Sequence, residues 1–325
     1  MGMFPAMAAR CVIGVDVGGT KALAGTVGED LAVHHRLQRP TQGQDTTALL
    51  DLLAEMVREA AEAAPGEVAG VGFGVPGVLD RRAGIVAACP HLPLEGVRFE
   101  ALMAERLGLP VAIDNDGNCA MLAEWRHGAA RGVDDALMVT VGTGIGGGIV
   151  AGGRLLRGAT GGGAELGHIV VELEGPPCQG RCPGLGHWEW YASGSAVGRA
   201  GEELARSFPD SQLGAQLAAG RPITGALVTE LAHDGDAAAA EALALVGRRL
   251  GKGLVSLVNV FNPERIIIGG GAIAAGEMLL GPARDVVAAE AMPSLREVAQ
   301  IVPAHFGSDA GMLGAAALAL EEHTR

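Results

Sequence analysis

The chain has 325 residues, enough for two ordinary domains, since single hydrophobic cores stop growing at ~250–300 residues. Its formal charge of −13 sets it against phosphate backbones and anionic lipid, which excludes nucleic acid as a main partner, and no run approaches the ~18 apolar residues of a membrane span. Apolar residues make up 49% and aromatic ones only 3%, so the core must be built from Ala, Val, Leu and Ile, as in parallel sheets flanked by helices; the 52 glycines imply close backbone approaches to a ligand.

In chain order, Met1–Arg10 has one basic residue and no apolar core of an export signal, so a cytoplasmic location is expected. Arg10–Val17 is a β-branched apolar run that breaks at Gly18-Gly19 and resumes over Lys21–Val27, which predicts strand, tight turn and strand, with a short third strand near Leu31–Leu37. Leu49, Leu52, Leu53, Met56, Val57 and Ala60 recur at helical spacing between Thr46 and Ala63, and Pro65-Gly66 ends that helix. Val68–Val75 is an apolar strand stopped by Pro76-Gly77, and Phe99–Leu107 is a helix. Val111–Ile113 is a buried strand that delivers Asp114-Asn115-Asp116 to its carboxyl end, where open α/β sheets place their sites. A helix near Gly117–His127 follows, then strands at Ala136–Val141 and Gly147–Val150 around Gly142-Thr143-Gly144, then a Gly-, Pro- and Cys-rich stretch from Gly158 to Gly194. Leu243, Val246, Leu250, Leu254, Leu257 and Phe261 mark a long helix ending before Asn262-Pro263, and Arg265–Ile268 is a strand running into Gly269-Gly270-Gly271. Each half starts with a strand, a Gly-Thr-containing turn and a strand, as an internally duplicated α/β fold would.

In Asp16-Val17-Gly18-Gly19-Thr20-Lys21 the glycines remove the bulk that would keep a phosphate from main-chain N–H groups, and Asp16 can hold Mg2+ through water. Gly142-Thr143-Gly144 and Gly269-Gly270-Gly271 offer the same opportunity, although any one such turn is also what an ordinary hairpin needs. Gly142, Gly144 and Gly147 match the dinucleotide-binding spacing formally, as do Gly72, Gly74 and Gly77, but neither set leads into a helix with an acidic residue about twenty positions on, and Gly251-Lys252 lacks the rest of a Walker motif. In Asp114-Asn115-Asp116 a carboxylate can accept the proton of an alcohol during phosphoryl transfer; the same residue types are favoured caps for the helix that follows, and both roles stay open. His168, Cys178, Cys182 and His187 offer the imidazole and thiolate ligands of a tetrahedral zinc site in surroundings that bury little, bracketed by Glu165 and Glu189; coincidental exposed thiols and histidines are the plainer alternative. Cys11, Cys89 and Cys119 sit singly in apolar contexts, and five cysteines are an odd number, which argues against a disulfide framework.

Taken together the motifs resemble those of the ROK family (repressor, open reading frame, kinase) of bacterial sugar kinases and repressors. The resemblance runs from the Asp16 turn through Gly74-Val75-Pro76-Gly77, Asp114-Asn115-Asp116-Gly117-Asn118, Gly142-Thr143-Gly144-Ile145-Gly146-Gly147 and Glu165-Leu166-Gly167-His168 to the Cys178–Glu189 stretch and Gly269-Gly270-Gly271, nearly the whole chain. It implies a two-lobed actin-like ATPase (ribonuclease H-like) fold of α/β class with ATP in the cleft between the lobes: an N-terminal lobe over 1–118, a C-terminal lobe with the metal loop over 119–308, and a final helix near Gly311–Glu322, within 309–325, returning to the first lobe. It further implies an ATP-dependent hexokinase acting on the 6-hydroxyl of glucose, with Mg2+ accompanying ATP. Asp116 would be the general base, and Asn115, Asp116, Glu165, His168 and Glu189 would hold the sugar. Asp16, Gly18, Gly19, Thr20, Lys21, Gly142, Thr143, Gly144, Gly269, Gly270 and Gly271 would hold the nucleotide. His168, Cys178, Cys182 and His187 would hold a structural Zn2+, with the second ring nitrogen of His168 on a sugar hydroxyl.

Two positions depart from the family pattern. Its metal loop has three cysteines after the histidine, often beginning Cys-x-Cys, whereas here three residues separate Cys178 from Cys182 and His187 replaces the last cysteine. His91 stands before Leu92-Pro93 where the family often has Asn. Kinases of N-acetylglucosamine, N-acetylmannosamine, fructose or allose share the pattern, inorganic polyphosphate is an alternative donor, and a homodimer or homotetramer is expected. Repressors and catalytically silent sugar sensors share the sugar domain as well. The acidic charge, and a first motif so near the start that no DNA-binding region is expected ahead of it, stand against a repressor; Asp16 and Asp116 stand against a silent sensor.

Overall fold

The computed structural model describes residues 10–178 and 182–323, which divide into two compact units. The first is built from residues up to 131, from 155–164 and from 309 onward; the second from 132–154 and 165–308. The first unit therefore runs past the division expected at residue 118 and takes in a later stretch that the sequence did not mark.

In the first unit β1 (Cys11–Val17), β2 (Lys21–Gly28) and β3 (Val33–Pro40) form an antiparallel meander. Helix α1 (Thr46–Glu62) then leads to β4 (Val68–Val75), which lies parallel to β1. A short hairpin of β5 (Val78–Asp80) and β6 (Ile85–Ala88) and helix α2 (Phe99–Leu107) come before β7 (Val111–Asn115), parallel to β4 and running straight into α3 (Asp116–His127). The sheet order is β3-β2-β1-β4-β7. Strand β1 is central because Val12, Ile13, Val15 and Val17 bury both of its faces, the pattern of a strand covered on two sides. Helix α1 lays Leu49, Leu53, Met56, Val57 and Ala60 on the core and is capped by Asp45, whose side chain accepts from the Ala48 N–H at 2.9 Å.

The second unit repeats the scheme. Strands β8 (Ala136–Val141) and β9 (Ile145–Ala151) are antiparallel, with β10 (Arg154–Leu155) beside β9. Helices α4 (Trp188–Ala192), α5 (Gly194–Ser207), α6 (Gln212–Ala218), α7 (Gly225–His233) and α8 (Ala237–Phe261) precede β11 (Arg265–Gly269), parallel to β8. Helices α9 (Glu277–Glu290) and α10 (Pro293–Arg296) precede β12 (Gln300–Pro303), parallel to β11. The order β10-β9-β8-β11-β12 matches the first sheet position for position, which is the duplicated ribonuclease H-like architecture of the actin-like ATPases. Helix α8 starts before the leucine spacing indicates because Asp236 caps it, accepting from the Ala239 N–H at 2.9 Å.

The last helix, α11 (Ala310–His323), belongs to the first unit and packs on β1, β4 and α3. It is apolar all round from Gly311 to Leu320, as a helix covered on every side must be. Glycine sets the closeness of this packing. A Cβ on Gly14 of β1, Gly72 of β4 or Gly314 of α11 would overlap the carbonyl oxygen of Met312, Ala315 or Cys119 respectively. Among the described residues no helix is long and apolar enough to cross a membrane.

Candidate active site

At the end of β7 three neighbouring polar residues divide three tasks. Asp114 is only 1% exposed; its Oδ2 receives Arg157 Nε at 2.6 Å, with Arg81 Nε at 3.7 Å, while its Oδ1 accepts from the Asn115 N–H at 2.9 Å and from Asn118 Nδ2 at 3.0 Å. Asn115 is the cap of α3, its Oδ1 accepting from the N–H groups of Gly117 at 2.8 Å and Asn118 at 3.2 Å, and its Nδ2 donating to the Gly77 carbonyl at 3.1 Å. Asp116 is the first helical residue, and its Oδ1 accepts from the Gly117 N–H at 2.9 Å. Burial raises its carboxyl above the usual range against the pull of the backbone N–H groups of Gly117 and Asp116 and the Asn115 side chain, so its carboxylate holds a proton more readily than an exposed one. The arginines escaped sequence reasoning because nothing local announces partners so far away in the chain, 43 positions for Arg157.

The β1–β2 turn is held by the Gly18 N–H donating to the Lys21 carbonyl at 2.9 Å and by Thr41 Oγ1 donating to the Gly18 carbonyl at 2.7 Å. Thr20 and Lys21 are exposed, and a Cβ on Gly19 would lie 3.1 Å from the Cβ of His91, itself exposed. Asp16, near the end of β1, has its carboxyl pushed up to about 7, first by burial and then by the charge of Asp116, with Lys21 opposing. Two carboxyl groups held above their usual range mainly by burial, the charge of Asp116 adding to the rise at Asp16, beside a turn of backbone donors suit a divalent cation and a phosphate chain.

In the second unit Gly142-Thr143-Gly144 joins β8 to β9, and the start of α5 clamps it: the Gly194 N–H donates to the Gly142 carbonyl at 2.7 Å and Ser195 Oγ to the Thr143 carbonyl at 2.7 Å. Glu189 is 8% exposed; its Oε2 accepts from the Ile145 N–H at 3.2 Å and would sit 2.5 Å from a Cβ on Gly144. The turn borders a cavity of about 880 Å3, within the size of small-molecule sites, lined also by Gly194, Ser195, Thr224, His233 and Gly271. The first turn of α5 brings backbone N–H groups and the positive end of a helix dipole to this cavity. Of the third glycine run only Gly271 lines it: Gly270 adopts φ +83° where a Cβ would meet the Val141 carbonyl at 2.5 Å, and a Cβ on Gly269 would lie 2.5 Å from Met138 Cε. Gly144 is likewise absent from the lining, and Ser195, Thr224 and His233 are lining residues that no sequence motif indicated.

Four further side chains of the second unit converge. His168 Nδ1 and His187 Nδ1 are 3.1 Å apart, Cys178 Sγ is 3.5 Å from His168 Nδ1, and Cys182 Sγ is 3.6 Å from His187 Nδ1. All four donor atoms lie within 4.8 Å of one another. A tetrahedron with metal–nitrogen bonds of ~2.0–2.1 Å and metal–sulfur bonds of ~2.3 Å has edges of roughly 3.4 Å between nitrogens and roughly 3.6 Å from nitrogen to sulfur, so the donors fit a tetrahedral metal ion. Burial and the neighbouring His168 lower the His187 imidazole, while burial, Glu189 and Cys182 push the Cys178 thiol up to about 12. Glu189 Oε1 is 3.4 Å from Cys178 Sγ, and the other ring nitrogen of His168 is 3.9 Å from Glu165 Oε2, so the cluster adjoins both glutamates that bracket it in the sequence.

Residues 12–322 match the family model of the ROK family. The chain is 37% identical over 312 residues to a glucokinase of Thermotoga maritima, covering 95% of this chain and 97% of that one. It is 34% identical to a ROK family glucokinase from Streptomyces griseus whose crystal structure is in complex with glucose and AMPPNP; the TM-score is 0.85, with 96% of this chain and 99% of that chain covered. A xylose repressor of Caldicellulosiruptor bescii is 30% identical, with 85% of this chain and 69% of the repressor covered. With the duplicated sheets, the Asp116 junction and the His/Cys cluster in place, these matches over nearly the full length lead to one conclusion: the chain belongs to the ROK family.

Proposed function

We propose that the chain is an ATP-dependent glucokinase that transfers the γ-phosphoryl group of ATP to the 6-hydroxyl of glucose. The observation that carries this reading is Asp116, a carboxyl at the carboxyl end of a sheet with raised proton affinity, relieved of the ion pair by Asp114 and of the cap by Asn115. The likeness to glucokinases over nearly the full length, one of them bound to glucose and AMPPNP, supports the acceptor and the donor. In this reading Asp116 takes the proton of the 6-hydroxyl as its oxygen attacks the γ-phosphorus. The new phosphorus–oxygen bond forms while the bond to the β,γ-bridging oxygen breaks, leaving glucose 6-phosphate and ADP.

Asn115, Glu165, His168 and Glu189 are assigned to the sugar hydroxyls. The turns at Gly18, Gly19, Thr20 and Lys21 and at Gly142, Thr143 and Gly144 are assigned with Gly271 to the nucleotide, and Gly269 and Gly270 to shaping the strand end that carries it. Asp16 would hold a magnesium ion, which would supply charge neutralisation for the phosphates of ATP. The metal of the His168, Cys178, Cys182 and His187 cluster is assigned as zinc, whose preferred donors these are, and its task is to order the loop that carries His168 and Glu189.

Asp116→Asn is expected to lower kcat by about 10²–10⁴-fold while glucose affinity, read by titration, stays within a few-fold of wild type. Retention of more than roughly a tenth of wild-type kcat, well above the range expected on loss of a general base, removes Asp116 from that role. A screen of hexoses by kcat/KM is expected to rank glucose first. Absence of turnover with every hexose favours a sugar-responsive regulator instead, a reading that the repressor relative keeps in view.

A further inference from the structure

The chemistry assigned above gives Asp114 no direct part in the reaction, yet it is a nearly fully buried carboxylate two residues before the proposed base. A charge in that position needs a compensating partner with good geometry, and the first unit supplies one from an unexpected direction. Arg157 opens residues 157–164, a loop closed on itself by the Gly163 N–H donating to the Arg157 carbonyl at 2.9 Å. The loop is tied to the β5 hairpin by the Arg81 N–H donating to the Thr160 carbonyl at 3.1 Å, and Gly161, at φ +117°, lies where a Cβ would be 2.8 Å from the Leu79 carbonyl. Arg81 is itself fixed, donating from Nε to the Ile113 carbonyl at 2.8 Å and pairing with Glu322 of α11. The loop thus presents the Arg157 guanidinium to Asp114 Oδ2 at 2.6 Å.

The opposite oxygen of Asp114 accepts from the Asn115 N–H and the Asn118 side chain, the residues on either side of Asp116 and its neighbour Gly117. A carboxylate is rigid and planar, so fixing Oδ2 fixes Oδ1, and Oδ1 fixes the turn on which Asp116 stands. We propose that Arg157 is a positioning residue for the base, acting through Asp114; the inference rests on the reading of Asp116 as that base. Without the Arg157 guanidinium the buried carboxylate keeps only the more distant Arg81, at 3.7 Å, and its hold on the 115–118 turn loosens.

Arg157→Ala is expected to lower kcat by roughly 10–100-fold, the scale of a small misplacement of a reacting group, with glucose affinity by titration and the KM for ATP within about threefold of wild type. Arg157→Lys, which keeps the charge but not the planar fork, is expected to fall between the two. Added methylguanidinium is expected to restore part of the kcat of Arg157→Ala and nothing to Asp116→Asn. Calorimetric melting checks that each variant is folded, and if Arg157→Ala does not fold, Arg157→Lys and Asp114→Asn carry the test. Wild-type kcat in both Arg157 variants beside an inactive Asp116→Asn overturns this inference and leaves the base in place. A loss in the Arg157 variants that is confined to glucose affinity, or a kcat loss that methylguanidinium does not relieve, also overturns it. An active Asp116→Asn overturns the reading on which it rests.

Discussion

Burial sets the charge state of Asp16 more than its neighbours do. Its ordinary value is 3.8, and in the folded protein it is pushed up to about 7. Between these values the folded chain holds a proton that the unfolded chain has released, so stability falls as pH rises through that window and is level above it. The ionised group therefore costs the unliganded protein up to ~4 kcal/mol at alkaline pH, an upper limit because part of the side chain meets solvent. Asp16→Asn is expected to raise Tm at pH 8 and flatten the fall of Tm between pH 4 and 7, while turnover with MgATP drops; calorimetry across pH with parallel kinetics checks both, and an unchanged Tm at pH 8 contradicts the burial argument. A second contrast separates two glycines of one turn. Gly142 has open space around an added Cβ and lines the cavity, so Gly142→Ala should raise the KM for ATP, by about tenfold if one misplaced methyl costs ~1.4 kcal/mol, and spare glucose. Gly144→Ala drives its methyl into the Glu189 carboxylate, so glucose affinity should fall with it; equal behaviour of the two variants in both titrations would remove this distinction. At this scale the sequence made Asp114, Asn115 and Asp116 candidates without allotting their tasks. The allotment follows from the extended backbone of Asn115, ψ 145°, and from Arg157, neither of which a local motif encodes.

Among the elements, the stretch from Gly158 to His187 departs most from regular structure. Among its described residues it has one single-turn helix at Leu166–His168 and isolated bridges pairing Val170 with His187 and Pro177 with Leu185. Val170, Leu173 and Leu185 are exposed, so little apolar burial holds the segment and a bound ion is the natural source of its order. About one zinc per chain is expected by elemental analysis, and chelation or Cys182→Ser should weaken glucose binding at metal-to-chain ratios and temperatures where melting of the rest of the chain is unchanged. Undiminished glucose affinity in metal-free protein contradicts the role given to the cluster. Long periodic elements such as α1 and α8 were legible in the sequence because their leucines keep helical spacing. Helix α5 was not, since Gly194, Gly198 and Gly201 read as breakers; yet Gly198 and Gly201 are the points where it packs closely, a Cβ on Gly201 striking Val228 and one on Gly198 lying 2.9 Å from the Ile223 carbonyl. The β5–β6 hairpin was missed for a different reason, because strands of three and four residues carry too little alternation to register.

Across the whole molecule, duplication was legible from the recurrence of strand, glycine turn and strand, and the two matching sheet orders are its structural counterpart. The membership of residues 155–164 in the first unit was not, because it depends on Arg157 and Gly161 finding partners at Asp114 and Leu79 rather than on any pattern within the segment. The first unit's core is closed by α11, whose backbone rests directly on Gly14 and Gly72. A chain ending before Ala310 should consequently be insoluble or bind a hydrophobic dye such as ANS, and the 325-residue chain is expected to do neither; a soluble, dye-silent truncation would show that the sheet is covered some other way. The same feature bears on how the protein is made. Strands β1 and β4 leave the ribosome early, but their cover is translated only after residue 310, and at ~5–20 residues per second the wait from residue 131 is roughly 10–40 s. For that interval the first sheet offers a smooth, glycine-floored apolar face, so the nascent chain is a natural client for chaperones that shield such faces until α11 has been made.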